Sequence, residues 1–265
     1  MRKLVVSVVL LAAALAMAQG PFDGTWKLNT SKLDTPPKTD EYKVDNGRFE
    51  CLTCNPKINV QANGVDQKLT GNPYADAVAV KIIDDHNTES TTKYNGAVVG
   101  TMKMSVSADN NTLTQKWTFT NSNGKSGNGT TILTRVGQAP KSGNMISGQW
   151  RMTDLPNVSD NVLVFTFKVS AEDISYSAPT GESYIAKPDG KDYPCKGDPG
   201  TTSVALKKIN DNTLEEIDKR DGKVIAINRM TVSPDGKTMT MAVDDKLHKQ
   251  EWKWIAEKQE IAAGK

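Results

Sequence analysis

The sequence is poor in the residue types from which most enzyme sites are built. Among its 265 residues are two histidines, His86 and His248, and neither stands in a pattern that pairs a base with a nucleophile. No Gly-x-Ser-x-Gly elbow occurs. Three cysteines are present. Cys51-x-x-Cys54 has the spacing of half a structural zinc site, but no second pair of ligands follows, and Asn55 stands where covalent haem attachment needs a histidine. The acidic pairs Asp84-Asp85, Glu215-Glu216 and Asp244-Asp245 are sequence neighbours. Neighbours on a strand point to opposite faces, so none is a two-carboxylate hydrolytic dyad, and they read as solvated turns. No Asp-x-Asp-x-Asp-Gly calcium loop is present. The expectation is a protein that is not an enzyme, with no catalytic residues, no metal and no cofactor.

Long apolar runs are equally scarce. The one that stands out is Leu4 to Leu15, broken only by Ser7, behind the basic Arg2-Lys3 and ahead of the small-x-small Ala16-Met17-Ala18. It is too short for a comfortable membrane span and has the order of a secretory signal peptide over residues 1–18. The mature chain is then expected to be exported, periplasmic or extracellular, with no membrane insertion. Of 33 Lys+Arg, Arg2 and Lys3 leave with that segment; the remaining 31 equal the 31 Asp+Glu. A neutral chain lacks the basic surplus that grips nucleic acid. In an exported chain Cys51 and Cys54 can form a disulfide where a turn brings them together, and Cys195 is left over unless it pairs with one of them.

What the sequence does have is a repeat. Ala77 to Thr114 aligns without a gap to Ser203 to Thr240, and fifteen of the 38 positions are identical, including Val78/Val204, Gly96/Gly222, Met104/Met230 and Asp109/Asp235. A match of that density marks a duplicated folding unit. At matching places in both halves turn formers recur in step, such as Asn63-Gly64 with Asp189-Gly190 and Asn95-Gly96 with Asp221-Gly222, and such pairs suit tight hairpins. Between them the apolar residues alternate: Leu113, Trp117 and Phe119 share one face, and Met239, Met241 and Val243 share its counterpart. Alternation of this kind predicts antiparallel strands with one face on a core. Thr213 to Lys219 has helical composition, but its counterpart Asn87 to Lys93 is rich in threonine, which predicts a strand in both copies.

Each half therefore predicts about eight strands, which sequential hairpins close into an up-and-down barrel. The fold class is all-β, two tandem antiparallel barrels. The boundaries expected are 20–136 for the first, a linker at 137–144 (GQAPKSGN), 145–256 for the second, and a polar tail at 257–265. Proteolysis in that linker would then release two compact fragments.

The opening Gly24-Thr25-Trp26 and Gly148-Gln149-Trp150, each followed by a meander, resemble the lipocalin and wider calycin group. The Asp-Gly-Lys series with its internal repeat is similar to secreted bacterial lipocalin-like repeat proteins. That resemblance implies that the opening Trp closes the barrel base beneath a cation from the last strand, giving Trp26 with Arg135 and Trp150 with Lys253. It carries no activity with it. The barrel interiors supply the candidate binding residues: Met102, Met104, Trp117 and Phe119 in the first, Met230, Met239 and Met241 in the second. Methionine adapts to irregular apolar ligands and barrel mouths are common sites. Small barrels are also filled by their own side chains, and aromatics make up only 6%. Two functions follow: a binding module for a small apolar or amphiphilic ligand, or a solid-core structural protein of the cell envelope.

Overall fold

The computed structural model of the chain describes residues 20–260. The expected leader, and residues 261–265 of the expected tail, lie outside them. Strand β1 is Gly24–Leu28, and β2 to β5 are Asp40–Asp45, Arg48–Cys51, Ile58–Gln61 and Gln67–Lys68. The first copy of the repeat gives β6 (Ala77–Ile82), β7 (Asn87–Tyr94), β8 (Ala97–Val106) and β9 (Thr112–Thr120), followed by β10 (Ser126–Val136). Then come β11 (Gly148–Asp154), β12 (Val164–Val169), β13 (Ile174–Ser177), β14 (Ser183–Ala186) and β15 (Asp189–Pro194). The second copy gives β16 (Ser203–Asn210), β17 (Thr213–Arg220), β18 (Lys223–Val232) and β19 (Thr238–Asp245), followed by β20 (Gln250–Lys258).

The hairpins follow from the turn residues. Asn95 and Gly96, at φ 49° and 80°, and Asp221 and Gly222, at 51° and 78°, turn β7 into β8 and β17 into β18. Two successive positive φ values give the twist a two-residue hairpin needs. Thr213–Arg220 is a strand despite its helical composition, because it pairs along its length with β16 and β18.

The strands form two antiparallel sheets of ten, with orders β4-β3-β2-β11-β10-β9-β8-β7-β6-β5 and β14-β13-β12-β1-β20-β19-β18-β17-β16-β15. Each curls into a nearly closed barrel. In the first, Gly64 N bonds Val80 O at 2.8 Å and Ile82 N bonds Ala62 O at 3.2 Å; in the second, Ser183 and Lys196 exchange bonds of 2.9 and 2.8 Å. The strand number is ten rather than the expected eight. The extra members are short pieces such as β5, with two residues, and β13 and β14, with four each, which are too brief to show a clear alternation.

The boundaries need a larger correction. Strand β1 pairs with β12 and β20, so the first Gly-x-Trp strand lies in the second barrel. Strand β11, the second such strand, pairs with β10 and β2 in the first barrel. The opening strands are exchanged between the halves. Residues 29–39 carry the chain from one barrel to the other, and 155–163 carry it back. The segment 137–144 is therefore the loop between two paired strands of one barrel and links no domains. Both strands carry the same Gly-x-Trp text, and the sequence does not say which slot each fills. The expected tail is also shorter, since β20 runs to Lys258 and Ala256 is fully buried. Among the described residues no helix is long and apolar enough to cross a membrane.

Candidate functional site

The interior of the first barrel holds a cavity of about 750 Å³. Its walls come from alternating positions that the repeat places inward. Val78 and Val80 on β6, Thr88, Ser90 and Thr92 on β7, Gly100, Met102 and Met104 on β8, and Trp117 and Phe119 on β9 all line it. Register explains the grouping, because Ser90 stands opposite Met102, and Met102 opposite Trp117. The other wall is Tyr42, Phe49, Ile58 and the Cys51–Cys54 disulfide. Of the interior residues expected from sequence, Met102, Met104, Trp117 and Phe119 are brought together here.

The two rings have room because the strand beside them carries glycine. Gly129 faces Trp117 and Gly127 faces Phe119. A Cβ at Gly129 would lie 2.3 Å from the indole, and one at Gly127 2.5 Å from the phenyl ring. The rings lie nearly parallel, 6.3 Å between centroids, and Trp117 Nε1 donates to Thr131 Oγ1 at 3.2 Å. In the second barrel the order is reversed: the small Val243 stands opposite Trp252 and Met241 opposite Trp254.

That barrel is filled differently. Met230 and Met239 are fully buried in its core with Phe167, Leu206 and Leu214, and Met241 packs against them. Where the first barrel has Ser90, Thr92 and Met102, the second has Glu216, Asp218 and Asn228. These three sit on the inward faces that Leu214 and Met230 define. Asn228 Nδ2 donates to Asp218 Oδ2 at 2.8 Å, and Tyr184 Oη donates to Glu216 Oε2. Burial raises both acids, Glu216 to about 8 with Asp218 adding repulsion, and Asp218 to about 6. The acidic pair Glu215-Glu216 is thus no solvated turn. The meaningful spacing is Glu216-x-Asp218, which puts both groups on one face.

The sign of the pH effect follows. The folded chain holds the Glu216 proton where the unfolded chain, near 4.5, has released it. Glu216 therefore lowers stability progressively from about pH 4.5 to about pH 8, with no further loss above. Glu216→Gln stays neutral and keeps an acceptor for Tyr184. It is expected to leave the unfolding free energy nearly unchanged at pH 4 and to raise it by about 1–3 kcal/mol at pH 9, read from urea curves at the two pH values.

The two tryptophans expected at the barrel bases, Trp26 and Trp150, are both fully buried. The cation over each differs from expectation. Arg135 Cζ lies 4.0 Å over the Trp150 ring, and Lys258 Nζ lies 5.2 Å from the Trp26 ring. Neither Trp26 with Arg135 nor Trp150 with Lys253 is a pair, because strand exchange sets Arg135 opposite Trp150 and Trp26 opposite Lys258. Lys253 is exposed. Arg135 donates from Nε to Asn110 O at 2.6 Å, from Nη1 to Ser147 O at 2.8 Å, and from Nη2 to Met145 O. Each Trp Nε1 bonds a carbonyl four residues earlier, Phe22 at 2.9 Å and Ile146 at 2.8 Å.

Sequence reasoning missed the far end of the cavity. Tyr74, Asn121 and Ser122 of the first barrel meet Glu182, Gly197, Asp198 and Pro199 of the second there. Tyr74 Oη donates to Asp198 Oδ1 at 2.8 Å, and Asn121 Nδ2 donates to Thr180 O. Nothing in the repeat points to these residues, because they lie outside it. Cys195 is free, and burial followed by the surrounding carboxylates pushes its thiol up to about 11. His86 and His248 bond Asn110 and Asp245, away from the cavity. Among the described residues no group of three or more His, Cys, Asp or Glu side chains could hold a metal. No protein-family model, curated protein or solved structure matches this chain.

Proposed function

We propose that this chain is an exported, non-enzymatic binding protein, lipocalin-like in each half, that carries a small apolar or amphiphilic molecule in its first barrel. The observation that carries the reading is the cavity of about 750 Å³, within the range of roughly 300–1,000 Å³ common for small-molecule sites. Apolar and aromatic side chains dominate its walls, with hydroxyls of Thr88, Ser90 and Thr92 among them, and its charged groups, Glu182 and Asp198, stand at one end, where they can orient a ligand that the apolar wall holds. The export signal at residues 1–18 and the resemblance of the Gly-x-Trp strands fit a secreted carrier.

A second reading, a solid-core envelope protein, is favoured by the second barrel alone, where Met230, Met239 and Phe167 are buried against one another. Native mass spectrometry of the purified protein separates the two, combined with titration by retinol, a fatty alcohol and haem followed through tryptophan emission. The carrier reading expects a copurified apolar molecule, or saturable binding of one probe at a ratio of one. An unliganded mass together with unchanged emission across the panel supports the solid-core reading instead.

A further inference from the structure

We infer that the molecule taken up by the first barrel is a cationic amphiphile, an apolar chain ending in an ammonium group that rests between Glu182 and Asp198. This rests on the reading of that cavity as a binding site and specifies what enters it. Among the residues that line the cavity, Glu182 and Asp198 are the charged ones, and both stand at the end supplied by the second barrel.

Each acid has an oxygen to spare. Asp198 Oδ1 accepts from Tyr74 Oη at 2.8 Å and from Gly200 N at 2.7 Å, and Glu182 Oε2 accepts from Thr180 Oγ1. Asp198 Oδ2 and Glu182 Oε1 have no hydrogen-bond donor and neither side chain is in an ion pair, among the described residues. Arg220, whose charge reaches Tyr74, donates from Nε to Gly200 O at 2.7 Å and makes no ion pair with either acid. Both acids are partly buried, so water screens them less than surface groups. Glu216 and Asp218 of the second barrel act on the same surroundings, since all four carboxylates raise the Cys195 thiol and Asp198 also raises Asp218.

An anionic head would be repelled by this mouth, which selects against fatty acids. An ammonium head would gain the attraction of two carboxylates in a partly buried site, with Tyr74 and Tyr94 also among the lining residues as aromatic groups that attract cations. The tail would run inward along Met102, Met104 and Trp117.

The test uses three probes of equal chain length on the whole protein, each below its micelle concentration: dodecyltrimethylammonium, dodecanol and dodecanoate at pH 8. Calorimetry is expected to give dodecyltrimethylammonium at least about tenfold tighter binding than dodecanoate, a preference that shrinks as salt rises. In the double variant Glu182→Gln, Asp198→Asn the preference should fall about tenfold while dodecanol affinity stays within about twofold. Glu182→Gln alone, which leaves the Tyr74 bond untouched, should lose part of the preference and guards against a misfolded double variant. Dodecanol binding accompanied by equal affinity for the two ions, or a preference that survives both variants, overturns the charge inference and leaves the apolar carrier intact. Failure of all three probes removes the carrier reading and this inference together.

Discussion

A fragment spanning residues 38–156 folds alone with a cooperative urea transition, and one spanning 20–136 does not. This is the expected consequence of strand exchange. The first fragment contains β2 to β11, the whole of one sheet. The second has lost β11 and keeps β1, whose partners β12 and β20 are absent. Its β2 and β10 edges are unpaired, and Arg135 has no ring to cover. An unpaired sheet edge of that kind favours aggregation. The same geometry predicts that cleavage within 137–144 leaves the two pieces together on a sizing column, because each holds a strand of the other's barrel. They should separate only in denaturant. A compact, soluble 20–136 fragment with buried Trp26 would contradict the exchange.

Trp150→Ala is expected to cost about 3–5 kcal/mol, the usual range for deleting a buried tryptophan side chain. Three losses coincide at that position. The ring is fully buried, its Nε1 bond to Ile146 O disappears, and the Arg135 guanidinium 4.0 Å above it is left facing a void. Burial already lowers the pKa of Arg135, so a wetter base would only partly repair the damage. Against a typical total of about 5–15 kcal/mol, that loss is a large share. It should appear undiminished in the 38–156 fragment, which contains both partners, and urea denaturation of the two forms measures it. A loss below about 1 kcal/mol would show that Trp150 does not anchor the core of this barrel.

The strand class and the hairpins were legible in the sequence. Asn95-Gly96 and Asp221-Gly222 announce their turns, and the alternation from Leu113 to Phe119 announces an inward face. The exchange was not legible, since β1 and β11 carry equivalent text and only pairing in space tells them apart. The Glu216–Asp218 pair was readable at i, i+2 spacing but hidden behind the more obvious Glu215-Glu216. Gly127 and Gly129 offered a signal too, as alternate positions on a strand where side chains would otherwise fill the interior. The cavity mouth offered none. Asp198 and Tyr74 are 124 residues apart and meet only because two barrels touch.

The claim that an apolar molecule occupies the first barrel is tested most directly by titrating 12-bromododecanol into the wild type and into Trp117→Phe. Bromine quenches indole emission only at close range, and Trp117 is the one tryptophan that lines the cavity. Saturable quenching in the wild type that largely disappears in Trp117→Phe is the predicted result. Quenching of equal depth in both proteins, or none in either, would contradict it.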